Sequence, residues 1–205
     1  MRPRTPIIIS SLALGLALSA CGSGGGSTIP GTNPVATTLP AGAVDPNAPE
    51  VVEPGDIPDD QVFVPYSAQD AAFTVQVPEG WARTEGGGVV TFTDKYNSIT
   101  INETAGTVAP TVDSVTATGL ADVSGDPTFT LVDVAPVTRN AGDGVVATYE
   151  VGSAANAVTG KKALLAVERY VFVHNGIQVT LTLSGAKGAD NVDPWTIVSD
   201  SLAWS

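Results

Sequence analysis

Chemistry in this chain has little to work with. Cys21 is its one cysteine and His174 its one histidine. Nucleophilic catalysis needs a Ser, Cys or Thr held beside a base. His174 stands at a strand end before the tight-turn pair Asn175-Gly176, where an imidazole is a packing or solvated group. No Gly-x-Ser-x-Gly elbow is present. The Gly24-Gly25-Gly26 run has no strand before it and no helix after it, so it is not a phosphate loop. One histidine and one thiol cannot assemble the usual zinc ligand sets. Asp190 and Asp193 fall at the start of a helical pattern, where capping and the helix dipole stabilise carboxylates; calcium ligation is the alternative for them. No pair stands out among the acids after residue 60 as a glycosidase dyad would. The residues therefore point away from an enzyme, and no metal or cofactor is expected.

Cys21 has a different chemistry, set by what precedes it. Arg2 and Arg4 form a short positive start, and an apolar stretch follows from Ile7 to Leu18. A membrane-spanning helix needs about 20 apolar residues, so this shorter run reads as the core of an export signal. It ends in Leu18-Ser19-Ala20-Cys21. That tetrad resembles the bacterial lipobox: small residues let the extended chain enter the signal peptidase, and the thiol takes the diacylglyceryl group. Residues 1–20 are thus expected to be removed and Cys21 lipidated. One acyl chain binds a membrane marginally, whereas two or three on one residue anchor it firmly. The expected location is the outer face of the cell membrane.

Cleavage before Cys21 would leave 7 basic residues against 21 acidic ones, a formal charge of −14. A basic face is needed to hold phosphates, so nucleic acid is excluded as a partner. Anionic headgroups would repel such a domain, which leaves the anchoring to the lipid. Residues 22–60 hold seven Gly, seven Pro and six acids, with no base and no aromatic. Such a segment cannot bury enough apolar surface to offset its ordering entropy. Residues 21–60 read as a lipidated start and linker spanning roughly 35 Å. Thr28, Thr32, Thr37 and Thr38, interleaved with Pro, are candidate glycosylation positions in it.

From Phe63 the pattern alternates with period two, and residues 61–205 are expected to form one domain. Runs occur at Phe73–Val77, Val90–Phe92, Ile99–Ile101, Phe129–Val137 and Val145–Val151, with Lys95-Tyr96-Asn97 and Asn140–Gly144 as turns. The last hairpin, Lys162–His174 and Ile177–Ser184 around Asn175-Gly176, carries a type I′ turn sequence. That turn pairs His174 with Ile177, Phe172 with Val179 and Tyr170 with Leu181. One face of the hairpin is apolar and must be covered. The other mixes Val171 and Val173 with Arg169, Gln178, Thr180 and Thr182. This half-polar face is expected to be partly covered, and those four polar residues are the candidate ligand or partner face. Val112–Val123 reads as a helix weakened by threonines and Gly119. Asp193, followed by Pro194, reads as the N-cap of a second helix with its stripe on Val192, Trp195, Val198 and Leu202. Trp81, Trp195 and Trp204 read as core anchors. Strands with few helices and no β-α-β alternation give an α+β fold, an antiparallel sheet with flanking helices.

Residues 66–104 run Tyr66…Phe73-Thr-Val-Gln-Val-Pro78-Glu-Gly-Trp81, a glycine turn, two short strands and Asp94; the second half has a long hairpin, an Asp-Pro-Trp helix and a final Leu-Ala-Trp204. This order resembles the PsbP-like sandwich and, within it, the Lpq-type lipoproteins of actinobacteria. The resemblance implies an exported accessory module linked to cell-envelope assembly and lipid handling. Photosystem members bind metals and other subunits, but no matching site exists here to transfer. Two functions follow as expectations: a non-catalytic adaptor that docks envelope proteins, or a carrier or sensor of an apolar envelope lipid. If Arg169 belongs to an open docking face, Arg169→Ala leaves folding nearly intact and weakens binding.

Overall fold

The structure is a computed structural model, and it describes residues 55–69, 72–155 and 160–205. Cys21, the segment 1–20 and the candidate glycosylation threonines lie outside the described residues. No helix among the described residues is long and apolar enough to cross a membrane.

Among the described residues ten strands form two antiparallel sheets. In chain order they are β1 (Phe63–Ser67), β2 (Phe73–Pro78), β3 (Ala82–Gly86), β4 (Val89–Asp94), β5 (Asn97–Ala105), β6 (Thr130–Arg139), β7 (Gly142–Gly152), β8 (Leu164–His174), β9 (Ile177–Ala186) and β10 (Ala203–Trp204). The large sheet runs β3-β4-β5-β9-β8-β7-β6 and the small one β1-β2-β10. Helix α1 is one turn, Val112–Ser114, continued as a π-helix over Val115–Gly119; helix α2 is Val192–Asp200. The fold is thus α+β, an antiparallel sheet with flanking helices.

The last hairpin has the register its turn dictates: His174 pairs with Ile177, Phe172 with Val179 and Tyr170 with Leu181. Asn175 and Gly176 both have positive φ, 46° and 86°, as a type I′ turn requires. An L-residue with a Cβ costs about 1–2 kcal/mol in that region, so Gly176→Ala is expected to lower the unfolding free energy by about that amount, read as a lower urea midpoint with an unchanged slope.

One face of the large sheet carries the main core. Phe92, Ile99, Ile101, Phe172, Leu181 and Leu183 from it meet Phe73, Val75 and Val77 of the small sheet and Val198 and Leu202 of the α2 region in one core. On the opposite face a second apolar cluster lies over β7 and β8, where Val145, Ala147, Tyr149, Val167 and Val171 pack beneath Val115 and Leu120. The two faces differ because apolar residues alternate cleanly on one side of β4, β5 and β9, while the other side of those strands is polar.

Several details depart from the sequence pattern. The helix expected over Val112–Val123 stops at Gly119, because Thr116 and Thr118 turn their hydroxyls back to the carbonyls of Val112 and Ser114 and the chain then enters turns. Asn191, not Asp193, is the N-cap of α2, and its side chain makes no capping bond because it is spent elsewhere. Val192 is 68% exposed and does not belong to the buried stripe. Asn97 belongs to β5 and is buried, leaving Lys95 and Tyr96 alone as the turn. The packing also begins before residue 61. Ile57 is 4% exposed, its N–H donates to Asn191 Oδ1 at 2.7 Å, and Asp56 Oδ1 accepts from the N–H of Asp190 at 2.9 Å.

Candidate functional site

Arg169, Gln178, Thr180 and Thr182 all line one cleft of about 660 Å³, open to solvent, on the partly covered face. Its floor is the sheet: Val89, Thr100, Asn102 and Val171 join those four. Its wall is the segment from Val108 to Asp122 that leaves β5 and carries α1. The sheet exposes this floor because β9 and β5 place threonines and amides, not apolar side chains, on the side facing away from the core.

The wall is held by a local cap and by a latch. At its start, Thr111 Oγ1 accepts from the N–H of Ser114 and Ser114 Oγ accepts from the N–H of Thr111, a reciprocal capping box. At its far end stands Arg169. Its guanidinium grips Asp122 with both arms, Nη1 to Oδ1 at 2.6 Å and Nη2 to Oδ2 at 2.9 Å. Nη1 also donates to the carbonyl of Gly119 at 2.8 Å, and Nε to Thr182 Oγ1 at 3.2 Å. The guanidinium carbon lies 5.5 Å from the centre of the Tyr149 ring, within cation–π range.

This geometry corrects the view of Arg169 as an open docking side chain. The residue is 8% exposed and its donors are engaged within the domain. The alternation of β8 placed it correctly on the half-polar face; what the pattern could not give was Asp122, 47 residues away in sequence. Gln178, Thr180 and Thr182 remain on the cleft floor.

The latch also fixes the protonation of its members. The hydrogen bond from Arg169 holds the Asp122 carboxyl below the usual aspartate range, against the opposing effect of burial. Burial works against the Arg169 charge, but the bonds to Asp122 and the nearby Tyr149 outweigh it and raise its pKa above the ordinary value. Burial pushes the Tyr149 phenol up. A carboxylate whose pKa is lower in the folded than in the unfolded state adds stability above the unfolded value, about 4, and loses it as pH falls through the folded value. The difference in melting temperature between the native chain and Asp122→Asn is therefore expected to be constant from about pH 5 to pH 8 and to shrink below about pH 4. Thermal melts of both proteins across that range check this.

Among the lining residues Arg169 and Asp122 are the only charged ones, and they neutralise each other. The rest are hydroxyls, amides and two valines on the floor, and small apolar groups with the hydroxyls of Thr111, Ser114 and Thr118 on the wall. Such a lining binds and orients; its hydroxyls have no imidazole among them. His174 lies elsewhere, exposed at the hairpin end and stacked on Trp204 with ring centres 5.3 Å apart. Asp193 is exposed in the first turn of α2, and Asp190 is exposed just before it, its backbone bonded to Asp56. Trp204 donates to the carbonyl of Ala141 and meets Phe73 edge-on, and Trp81 and Trp195 pack partly buried against the main core.

A second cleft, missed by the sequence reading, opens between the sheets. It measures about 450 Å³, with Tyr66, Phe73, Val90 and Ile101 as an apolar base and Glu85 and Glu103 at its lining. The Gly86-Gly87-Gly88 hairpin tip borders it. The signal for it was the glycine run, which removes side chains where the two sheets part.

No protein-family model matches the chain, and no curated protein matches it significantly in sequence. Solved structures do resemble it. The solution structure of cyanobacterial PsbP (CyanoP) from Synechocystis superposes with a TM-score of 0.50 at 16% identity, over 74% of this chain and 98% of that one. LpqN of Mycobacterium tuberculosis, described as involved in cell envelope biogenesis, gives 0.40 at 14% identity over 71% and 91%. A protein from Bacteroides thetaiotaomicron gives 0.44 at 14% identity over 69% of this chain, which spans 48% of that protein's length. The likeness to CyanoP concerns the fold: the described residues adopt a PsbP-like architecture.

Proposed function

We propose that the chain is an exported lipoprotein, held to the outer face of a cell membrane by lipid on Cys21, whose PsbP-like domain is a non-catalytic accessory module of the cell envelope. It docks envelope proteins along the open part of the large sheet, over the cleft floored by Gln178, Thr180 and Thr182. The observation that carries the reading is the cleft itself: an exposed, shaped, hydrogen-bonding floor whose single cation is already neutralised by Asp122. Its wall is built of a cap and a latch, which gives a partner a preformed surface. The relation to Lpq-type lipoproteins rests on the order of elements and on the Pro78–Trp81 and Asp193–Trp195 segments.

A second reading has an observation of its own. The 450 Å³ cleft with buried Tyr66, Phe73 and Ile101 at its base is the place where an apolar envelope lipid would enter. One preparation separates the two. A photo-crosslinker is placed at Gln178 in the full lipoprotein in its own membrane, and the native mass of the gently purified protein is recorded. A discrete protein adduct at Gln178 with the mass of the bare lipoprotein supports docking. Extra mass that leaves on denaturation and extracts into organic solvent, with no adduct, makes the domain a lipid carrier and ends the docking reading.

A further inference from the structure

Every charged side chain on β3, β4 and β5 lies on one side of the large sheet. Arg83, Glu85, Asp94 and Glu103 share the parity of Phe92 and Ile101, which face the core. The other side of these strands, and of β9 beside them, carries no charge at all. In a chain with formal charge −12, an open sheet face without a single Lys, Arg, Asp or Glu is not the ordinary solvated surface, which intersperses charges of both signs.

The residues there are in register. Thr84 pairs with Thr91, Thr91 with Thr100 and Thr100 with Thr182, and Thr182 pairs with Arg169. Four threonines on four adjacent strands thus stand in one row, about 4.8 Å apart. The row on one side pairs Thr93, Ser98 and Ser184; the row on the other pairs Val89, Asn102 and Thr180. Thr91 Oγ1 and Thr100 Oγ1 are 3.2 Å apart, and Ser98 Oγ and Ser184 Oγ 2.8 Å. A hydroxyl carries one donor and two acceptor sites, so the Thr91–Thr100 pair keeps hydrogen-bonding capacity for something above it, whereas Ser184 is buried. Arg169 Nε donates to Thr182 Oγ1, which leaves the Thr182 O–H to donate onward. The latch therefore sets the polarity at one end of the row.

From this geometry we infer that the face binds a neutral polysaccharide, its chain lying flat across β3, β4, β5 and β9 along the threonine row. The match is chemical. Threonine offers a methyl beside a hydroxyl, and a sugar ring offers C–H surface beside hydroxyls that donate and accept. An uncharged ligand suffers no repulsion from a face that has no charge. A repeating row that runs out of the cleft past Thr91 and Thr84 accommodates an extended polymer. The inference goes beyond the docking of proteins: it shares Thr100, Thr180 and Thr182 with the cleft and uses Thr84 and Thr91 outside it.

The test is affinity electrophoresis of the full chain in a detergent without a sugar headgroup, in gels containing soluble glucan, mannan or galactan, with anionic alginate as the control. At least one neutral polymer is expected to retard the chain and alginate not to. Thr91→Val/Thr100→Val keeps the shape and removes two hydroxyls, and is expected to weaken retardation about tenfold. Thr84→Arg, at an exposed edge position that bears on no core residue, is expected to weaken it as well and covers the case in which the double variant fails to fold. Retardation by none of the neutral polymers, by alginate alone, or unchanged in both variants overturns the inference. So does a dimer of the native chain that Thr84→Arg dissociates, which would place a second copy on this face. A protein adduct at Gln178 together with no glycan retardation leaves the docking reading standing and removes this one alone.

Discussion

Arg169→Ala is expected to destabilise the domain by about 3 kcal/mol, roughly 10 °C in melting temperature for a domain of this size. The change removes a bidentate ion pair, a bond to the Gly119 carbonyl, a bond to Thr182 and the contact with the Tyr149 ring. Asp122, whose side chain is 63% exposed, regains water easily, so the loss falls on the packed side of the latch and not on an orphaned carboxylate. The apolar substitution Arg169→Met refills the space and is expected to recover part of the stability, because a buried pair is often replaceable by packing. Neither variant can hold Gly119 and Asp122. Amide exchange at Ala121, Val123 and Ser124, whose N–H groups donate to the carbonyls of Thr118 and Leu120, is expected to accelerate in both. An Arg169→Ala domain that melts with the native one would show that the wall is held by Val115 and Leu120 alone and that the guanidinium is free for a ligand.

Destabilisation by Arg169→Ala would reverse the expectation from sequence, and the reason is physical. Alternation along a strand states which face a side chain occupies, and for β8 and β9 it did so correctly at Tyr170, Phe172, Val179 and Leu181. The Asn175-Gly176 turn then fixed the register, because two consecutive residues at positive φ admit one pairing. Face and register were therefore legible, and so was the partial cover over Thr180 and Thr182. What lies above a face is a tertiary fact. Asp122 reaches Arg169 through a helix that ends at Gly119, after threonines had already made its length hard to read. Strand β3 was invisible to an apolar pattern because all five of its residues are exposed; it is a strand through its pairing with β4. The cleft between the sheets had only a glycine run as its sign. The threonine row was present in the sequence as Thr84, Thr91, Thr100 and Thr182, yet those positions become one line only once three strand registers are known.

The other large effect is expected at Asn191, where the chain's entry into the domain is clasped. Asn191 is 3% exposed. Its Oδ1 accepts from the N–H of Ile57 at 2.7 Å, and its Nδ2 donates to the carbonyl of Gly55 and to Asn97 Oδ1, each at 3.2 Å. Asn191→Ala leaves these three buried groups without their partner. Each orphaned group costs about 1–3 kcal/mol where water cannot replace it, and partial relaxation of Gly55 toward solvent sets the expected total at about 3 kcal/mol. Gly185 explains why no bulkier side chain fits. A Cβ on Gly185 would lie 2.6 Å from Asn191 Nδ2 and 2.7 Å from Asn97 Oδ1, so the amide pair rests directly on strand β9. In urea unfolding followed by tryptophan fluorescence, Asn191→Ala is expected to shift the midpoint down, and proteolysis is expected to cut near Ile57 before the domain unfolds. Those two results together would show that residues 55–57 detach before the sheet unfolds. A midpoint like that of the native chain would mean that Asp56 and the burial of Ile57 suffice to hold this entry, and that Asn191 serves only to start α2.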